Sequence, residues 1–219
     1  MKKYELTSET KMVCGITLHR IRALIDIKRW DVKSGDMGGW IESEANLDQE
    51  HDAWVSDEAL VYGKARVSDE ALVYDEAWVF DKALVSGKAL VSGKARVFDE
   101  ALVSGDARVS GKAWVYGKAR VYGKALVSGD ARVSDEARVY KTAHVLTVGP
   151  IGSRDDTTTF FRVKFSDGFT ISVCCGCFHG TVDEFRAKVK QTHGDDKHGK
   201  AYQLAADLAE AQIELGEEG

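Results

Sequence analysis

Between residues 53 and 145 the apolar positions of the chain recur with a period of six. Alanine occupies every sixth position from Ala53 to Ala143, and valine follows two residues later from Val55 to Val145, which makes sixteen consecutive hexads. One variable residue separates each Ala from its Val. The small and β-branched pair therefore points to one side of a short strand and the residue between them to the other. From residue 53 to 136 the last two positions of each hexad hold Gly-Lys, Asp-Glu, Asp-Lys or Gly-Asp, types that accept turn and left-handed conformations. Each hexad predicts a short strand followed by a corner.

A helix is excluded, because a period of six keeps no face aligned at 3.6 residues per turn and the Gly and β-branched content opposes it. The same phase extends back through Ala45/Leu47 and Gly39/Ile41, broken by two extra residues within 48–52, for eighteen hexads in all. Three strands and three corners close a triangle, and turns stacked at ~4.8 Å give six coils forming a prism roughly 25–30 Å long.

A chain that returns to the same side every eighteen residues sorts its outward residues into columns. One face carries Trp40, Leu60, Trp78, Arg96, Trp114 and Arg132. Beside them, just after Val, stand Tyr62, Phe80, Phe98 and Tyr116, spaced to stack as a ladder. The second face carries Trp54, Leu72, Leu90, Arg108, Leu126 and His144, and the third Asn46, Arg66, Leu84, Leu102, Arg120 and Arg138. A bare Trp/Phe/Tyr face would exceed the apolar patch usual on soluble monomers. Trp, Tyr and Arg are also the types that anchor protein interfaces. The first face is thus the expected binding surface, and a homo-oligomer, dimer or trimer, is the expected assembly.

The flanking segments do not follow the repeat. ITLHRIRALIDI within residues 1–38 alternates imperfectly and reads as capping strands over the first coil, whose edge would otherwise invite end-to-end stacking. The repeat occupies 39–146. From 147 to 219 a small ββαα domain is expected, beginning at VGPIGS with the only proline. Residues 157–175 read as a hairpin turning at Ser166-Asp167-Gly168. Thr181 and Glu184 form a capping box before a helix that ends at Gly194, and a second helix over about 199–215 aligns Leu204, Leu208, Ala211 and Leu215 on one stripe.

Composition narrows the partners. With 30 basic and 35 acidic residues in alternation and a formal charge of −5, the chain offers no basic face for nucleic acid. It contains no apolar stretch of spanning length, and MKKYELTSET lacks the apolar run of a signal peptide, so no membrane association and a cytoplasmic location are expected. Cys174, Cys175 and Cys177 crowd into four residues near His179, with His193 farther on. Cys174, Cys177, His179 and His193 are conceivable zinc ligands, but adjacent cysteines point to opposite sides of a strand and the spacing suits buried thiols better. No cofactor is expected.

The hexads resemble hexapeptide-repeat proteins, and that resemblance, covering about half of the chain, implies a left-handed parallel β-helix. The segments KYELTSETKMVCGITLHRIRALID, GDMGGWIESEANL and GCFHGTVDEFRAKVKQTHGD are in addition similar to uncharacterised phage and prophage hexapeptide-repeat proteins. The fold class expected is therefore mainly β: a left-handed β-helix of about six triangular coils with an N-terminal β cap and a C-terminal ββαα domain. Phage origin would place the protein in the host cytoplasm.

Hexapeptide-repeat acyltransferases imply a histidine base between neighbouring prisms. Here the candidates are His51, in the insertion, and His144, at the last turn, and no long loop interrupts hexads 53–145 to build the pockets such enzymes use. The carbonic anhydrases of the fold need three converging histidines, and an ice-binding face needs a threonine column; the repeat has neither. The expected function is a non-catalytic phage or prophage scaffold that self-associates and binds or sequesters a host protein or a small signalling molecule. An acyltransferase is the alternative.

Overall fold

The structure, a computed structural model, describes residues 2–166 and 168–216. Strands β1 (Tyr4–Val13), β2 (Ile16–Ala23) and β3 (Met37–Ile41) are followed by fifteen two-residue strands, one per hexad, from β4 (Trp54–Val55) to β18 (Arg138–Val139). These wind as a β-solenoid of about six stacked coils with three parallel sheets. Each hexad pairs with the hexad eighteen residues on: Trp78 with Arg96, Leu72 with Leu90, Leu84 with Leu102. The columns read from the sequence are the observed register.

The repeated Ala and Val side chains fill the interior, each almost wholly removed from water from Ala53 to Val139. Alanine next to each corner leaves room for the chain to bend, and the β-branched valine fills the centre. The corners are held by residues at positive φ. Asp57, Asp69, Asp75, Asp81, Asp99 and Asp135 alternate there with eight glycines from Gly63 to Gly129. Aspartate tolerates this conformation and here adds a bond. The carboxylates of Asp69, Asp75 and Asp99 accept the backbone N–H of Gly87, Gly93 and Gly117, one coil on, at 2.8, 2.9 and 3.0 Å.

Both ends of the stack depart from the hexad geometry. Asn46 and His144, expected among the outward columns, lie in single 3-10 turns (Glu44–Asn46 and Thr142–His144) and are buried. An end coil has a neighbour on one side only, so its backbone bends to satisfy itself. Asn46 Nδ2 donates to the carbonyls of Gly63 and Ala65 at 3.1 and 2.9 Å in place of a strand. At the open mouth, Lys3 Nζ donates to the carbonyls of His51 and Ala53, and the Tyr4 hydroxyl to that of Leu47. Strands β1 and β2 then extend the first sheet antiparallel to β3.

The C-terminal part has more strands than its sequence suggested. To the expected hairpin, β20 (Asp156–Phe165) and β21 (Gly168–Cys175), the structure adds β19 (Val145–Ile151) and β22 (Phe178–Thr181), all antiparallel. Asp167, at the expected turn, lies outside the described residues. One face of this sheet lays Phe161 and Cys174 on the last coil, and the other packs Phe160, Ile171 and Val173 on helices α1 (Val182–His193) and α2 (Lys197–Gln212). The capping box at Thr181 and Glu184 is present.

The stripe expected to anchor α2 is reversed. Leu204 and Leu208 are 67% and 49% exposed and Ala211 and Leu215 also face water, while Tyr202, Ala205, Ala206 and Ala209 are buried. Small residues let α2 approach α1 and the sheet closely, and Tyr202 fills the gap against Phe185. Helical periodicity identifies a stripe but does not weigh two competing ones. No helix among the described residues is long and apolar enough to cross a membrane.

The corner contacts predict a graded response. At Gly111 (φ +69°) an added Cβ would lie 2.8 Å from the backbone nitrogen of Gly129, whereas at Gly129 (φ +68°) it would meet nothing. Gly129→Ala should cost about 1 kcal/mol for its backbone conformation. Gly111→Ala should cost more by a further ~1–2 kcal/mol, and Gly111→Asp should recover about 1 kcal/mol by bonding the next coil's N–H. Urea unfolding of the three variants checks the order.

Candidate functional site: an aromatic and arginine face between two flaps

The first face of the prism brings the candidate interface residues into two adjoining columns. Because equivalent positions recur one strand spacing apart, planar side chains in one rotamer lie parallel. Tyr62 stacks on Phe80, Phe80 on Phe98 and Phe98 on Tyr116, with centroids 5.2, 5.0 and 5.1 Å apart and planes within 7°. In the column beside it, the Arg96 guanidinium lies 4.8 Å from the Trp78 ring and 5.3 Å from that of Trp114, and Arg132 lies 5.3 Å from Trp114. Cations between indoles are attracted by the ring faces and hold them in place.

The face is not bare along its whole length. Leu18 of β2, with Val13 and Ile16, packs on Trp40, Leu60 and Tyr62, leaving them 5%, 3% and 7% exposed. These three, expected at an open interface, are instead the seat of the N-terminal flap. Lys11 and Arg20 lie 4.2 and 5.2 Å from the Trp40 ring. Trp40 Nε1 donates to Glu58 at 3.1 Å, and Lys11 donates to the same carboxylate at 2.9 Å. The Lys11 ammonium holds the Glu58 carboxyl below its usual range. Burial pushes the Tyr62 phenol up to about 12.

The other end lies under the C-terminal sheet. Arg132 Nη1 donates to the Gly176 carbonyl, Ser134 Oγ is 3.1 Å from His179 Nε2, and that nitrogen is 2.7 Å from the Asp135 carboxylate. The Tyr116 hydroxyl is bonded to Ser134 and Cys174, and burial raises its pKa. Between the flaps Trp78, Phe80, Arg96, Phe98 and Trp114 remain half-buried, three coils that span about 10 Å along the axis. A groove of about 640 Å³ adjoins the ladder, lined by Lys64, Asp81, Lys82, Asp99, Glu100 and Lys118 with Gly63 and Gly117. An apolar strip beside a mixed-charge rim has the anatomy of a protein-docking surface.

The weaker candidates do not assemble into a site. Cys174 is buried against the solenoid with its thiol pushed up by desolvation, Cys175 faces the helices, and Cys177 is exposed in the turn before β22. His179 is held by Asp135, and His193 packs beside His198 and Tyr202. Among the described residues no three Cys, His, Asp or Glu side chains converge to hold a metal ion. His51 is exposed, with Nδ1 against the Asp48 carboxylate, which raises its pKa. His144 accepts the Tyr140 N–H at Nδ1 and stacks edge-on to Tyr140. Its Nε2 is buried without a partner, and burial with the nearby Arg162 lowers its pKa to about 4. A base with no access to solvent serves neither the acyl-transfer reading nor the outward column to which its spacing assigned it.

With this geometry in view, the chain is a repeat β-helix protein of the β-solenoid class. Residues 101–117 match the family described as YdcK Beta solenoid repeat, a stretch within the coils that carry Phe98, Trp114 and Tyr116. The chain matches no curated protein.

The buried imidazole generates a pH prediction. The unfolded ring titrates near 6.5 and the folded ring near 4, so within that window the unfolded state binds a proton that the folded state refuses. Stability is therefore full above 6.5 and falls as pH drops towards 4. From pH 7 to pH 5 the native protein should lose about 2 kcal/mol more than His144→Leu does. Urea unfolding at the two pH values measures the difference.

Proposed function

We propose that the protein is a non-catalytic scaffold that self-associates through the window of Trp78, Phe80, Arg96, Phe98 and Trp114 and presents the assembled prism to a protein partner. The observation that carries this reading is the aromatic and arginine strip between two flaps, which adjoins a groove of alternating lysine and carboxylate. Aromatic and Arg side chains held rigid by a β-stack lose little entropy on docking. A rim carrying both signs, Lys82 beside Glu100 and Lys64 beside Asp81, is able to complement a second copy of itself in a two-fold arrangement. The states of His51 and His144 favour this reading over an acyltransferase. Similarity of the terminal segments to phage and prophage hexapeptide-repeat proteins supports a phage origin, with the partner a host protein met in the host cytoplasm.

Light scattering coupled to size-exclusion chromatography tests it. At micromolar concentration the native chain should run as a dimer or trimer, and Trp78→Ser/Trp114→Ser should run as a monomer with unchanged far-UV circular dichroism. A native chain that stays monomeric across that range ends the self-association reading.

A further inference from the structure

Among the described residues, one apolar stripe is left outside the cores. On α2, Ala201, Leu204, Leu208 and Ala211 follow one another at spacings of three, four and three residues, the a/d pattern of a coiled-coil seam. Leu204 and Leu208 are 67% and 49% exposed. The helix packs on α1 and the C-terminal sheet through Tyr202, Ala205, Ala206 and Ala209 instead, which leaves the seam on another side. A single exposed leucine is ordinary. Two leucines in heptad phase, flanked by alanines that allow close approach, make a continuous strip. The residues after Gly216, Glu217-Glu218-Gly219, bring no apolar side chain to cover it.

The charges of α2 select the occupant. After the Asp196 cap its first turn carries Lys197 and Lys200, and its end carries Asp207 and Glu210, followed by Glu214. That order opposes the dipole of a lone helix and suits a neighbour running the other way. We propose that the stripe docks on the same stripe of a second copy, as an antiparallel pair of α2 helices. Centred in sequence on Ala206, the pair sets Leu204 on the second copy's Leu208 and Ala201 on its Ala211, with Lys200 facing its Glu214, each contact made twice by symmetry. Asp207, nearest the two-fold axis, is bonded to Arg186 at 2.7 Å, which reduces its repulsion across the axis. Glu214 shares its carboxylate with Lys141 of its own chain at 3.0 Å. A parallel pair would instead set Lys200 against Lys200 and Glu214 against Glu214. A seam of about four turns buries less than the ~1,200 Å² from which stable interfaces start, so the contact is weak alone and forms above the concentrations at which the window acts. It stands independently of the self-association proposed above.

Sedimentation equilibrium of the full chain from micromolar to millimolar concentration tests the pairing. The mean mass should rise towards twice its micromolar value, whether that value is the monomer's or that of the assembly held by the window. Leu204→Gln/Leu208→Gln should keep the micromolar mass throughout, with unchanged circular dichroism because both side chains are exposed. Lys200→Glu, which sets two carboxylates together at each end of the seam, should weaken the step at least threefold. In Trp78→Ser/Trp114→Ser the step should remain, which separates its failure from that of the window. A mass that stays constant across the range, or a rise that persists in Leu204→Gln/Leu208→Gln, overturns the proposal. A rise that is lost with the leucines but indifferent to Lys200→Glu overturns the antiparallel pair.

Discussion

The backbone hydrogen bonds between coils are the constraint on which the rest of this structure depends. Trp78 N–H donates to the Ala95 carbonyl at 2.9 Å, Phe80 N–H to Val97 at 3.0 Å and Lys82 N–H to Asp99 at 2.9 Å, and the pattern repeats up the prism. These bonds fix the rise between coils at one strand spacing. A residue and its partner eighteen positions on must therefore occupy almost the same environment. That near-identity dictates the interior, where Ala and Val recur at each level from Ala53 to Val139. It also turns isolated outward residues into continuous columns: a ring at one level finds a ring about 5 Å above it without either having been selected for the contact singly.

A stack held in this way has two raw edges, and much of the non-repetitive sequence serves to close them. At the start, Lys3, Tyr4 and Asn46 satisfy carbonyls that a preceding coil would have satisfied. Lys3 is buried there, and desolvation lowers its pKa to about 8. At the other end, the isolated bridge between Ala137 and Val163 and the bond from Arg132 N–H to Thr159 couple the last coils to the C-terminal sheet. Closed edges remove the route to end-to-end fibres and leave the sides of the prism as the surfaces open to recognition.

The sequence made the repeat, its register and its columns legible because one rule, inward Ala and Val every six residues, applies throughout. The same reading failed where that rule stops. Trp40, Leu60 and Tyr62 were placed on the right face, but nothing in the hexads says that Leu18 covers them; the cue is the alternation of β1 and β2, which is broken by a register shift between Leu6 and Thr10. His144 keeps the spacing of an outward residue and is buried because no further coil follows it. On α2, two stripes compete, and the alanine stripe wins because close approach to α1 requires small side chains. The clamp of Lys11, Arg20 and Glu58 on Trp40 joins residues up to 47 positions apart in sequence, beyond the reach of any local pattern.

Where arginine replaces leucine or tryptophan among the outward residues bears on what the prism does. In the first face Arg96 sits between two indoles and is neutral in shape, so the column stays continuous while gaining charge. Near the C-terminal sheet, Arg132 reaches the carbonyl of Gly176, outside the solenoid. A flexible cation at the end of an apolar stem covers the strand and still reaches polar groups beyond it, which leucine does not. The repeat thus supplies an invariant lattice, and its chemistry is written in the few outward positions where Leu, Trp and Arg exchange. Because those positions are rigidly spaced in three dimensions, a change at one of them alters the local recognition surface without disturbing the interior that the Ala and Val positions maintain.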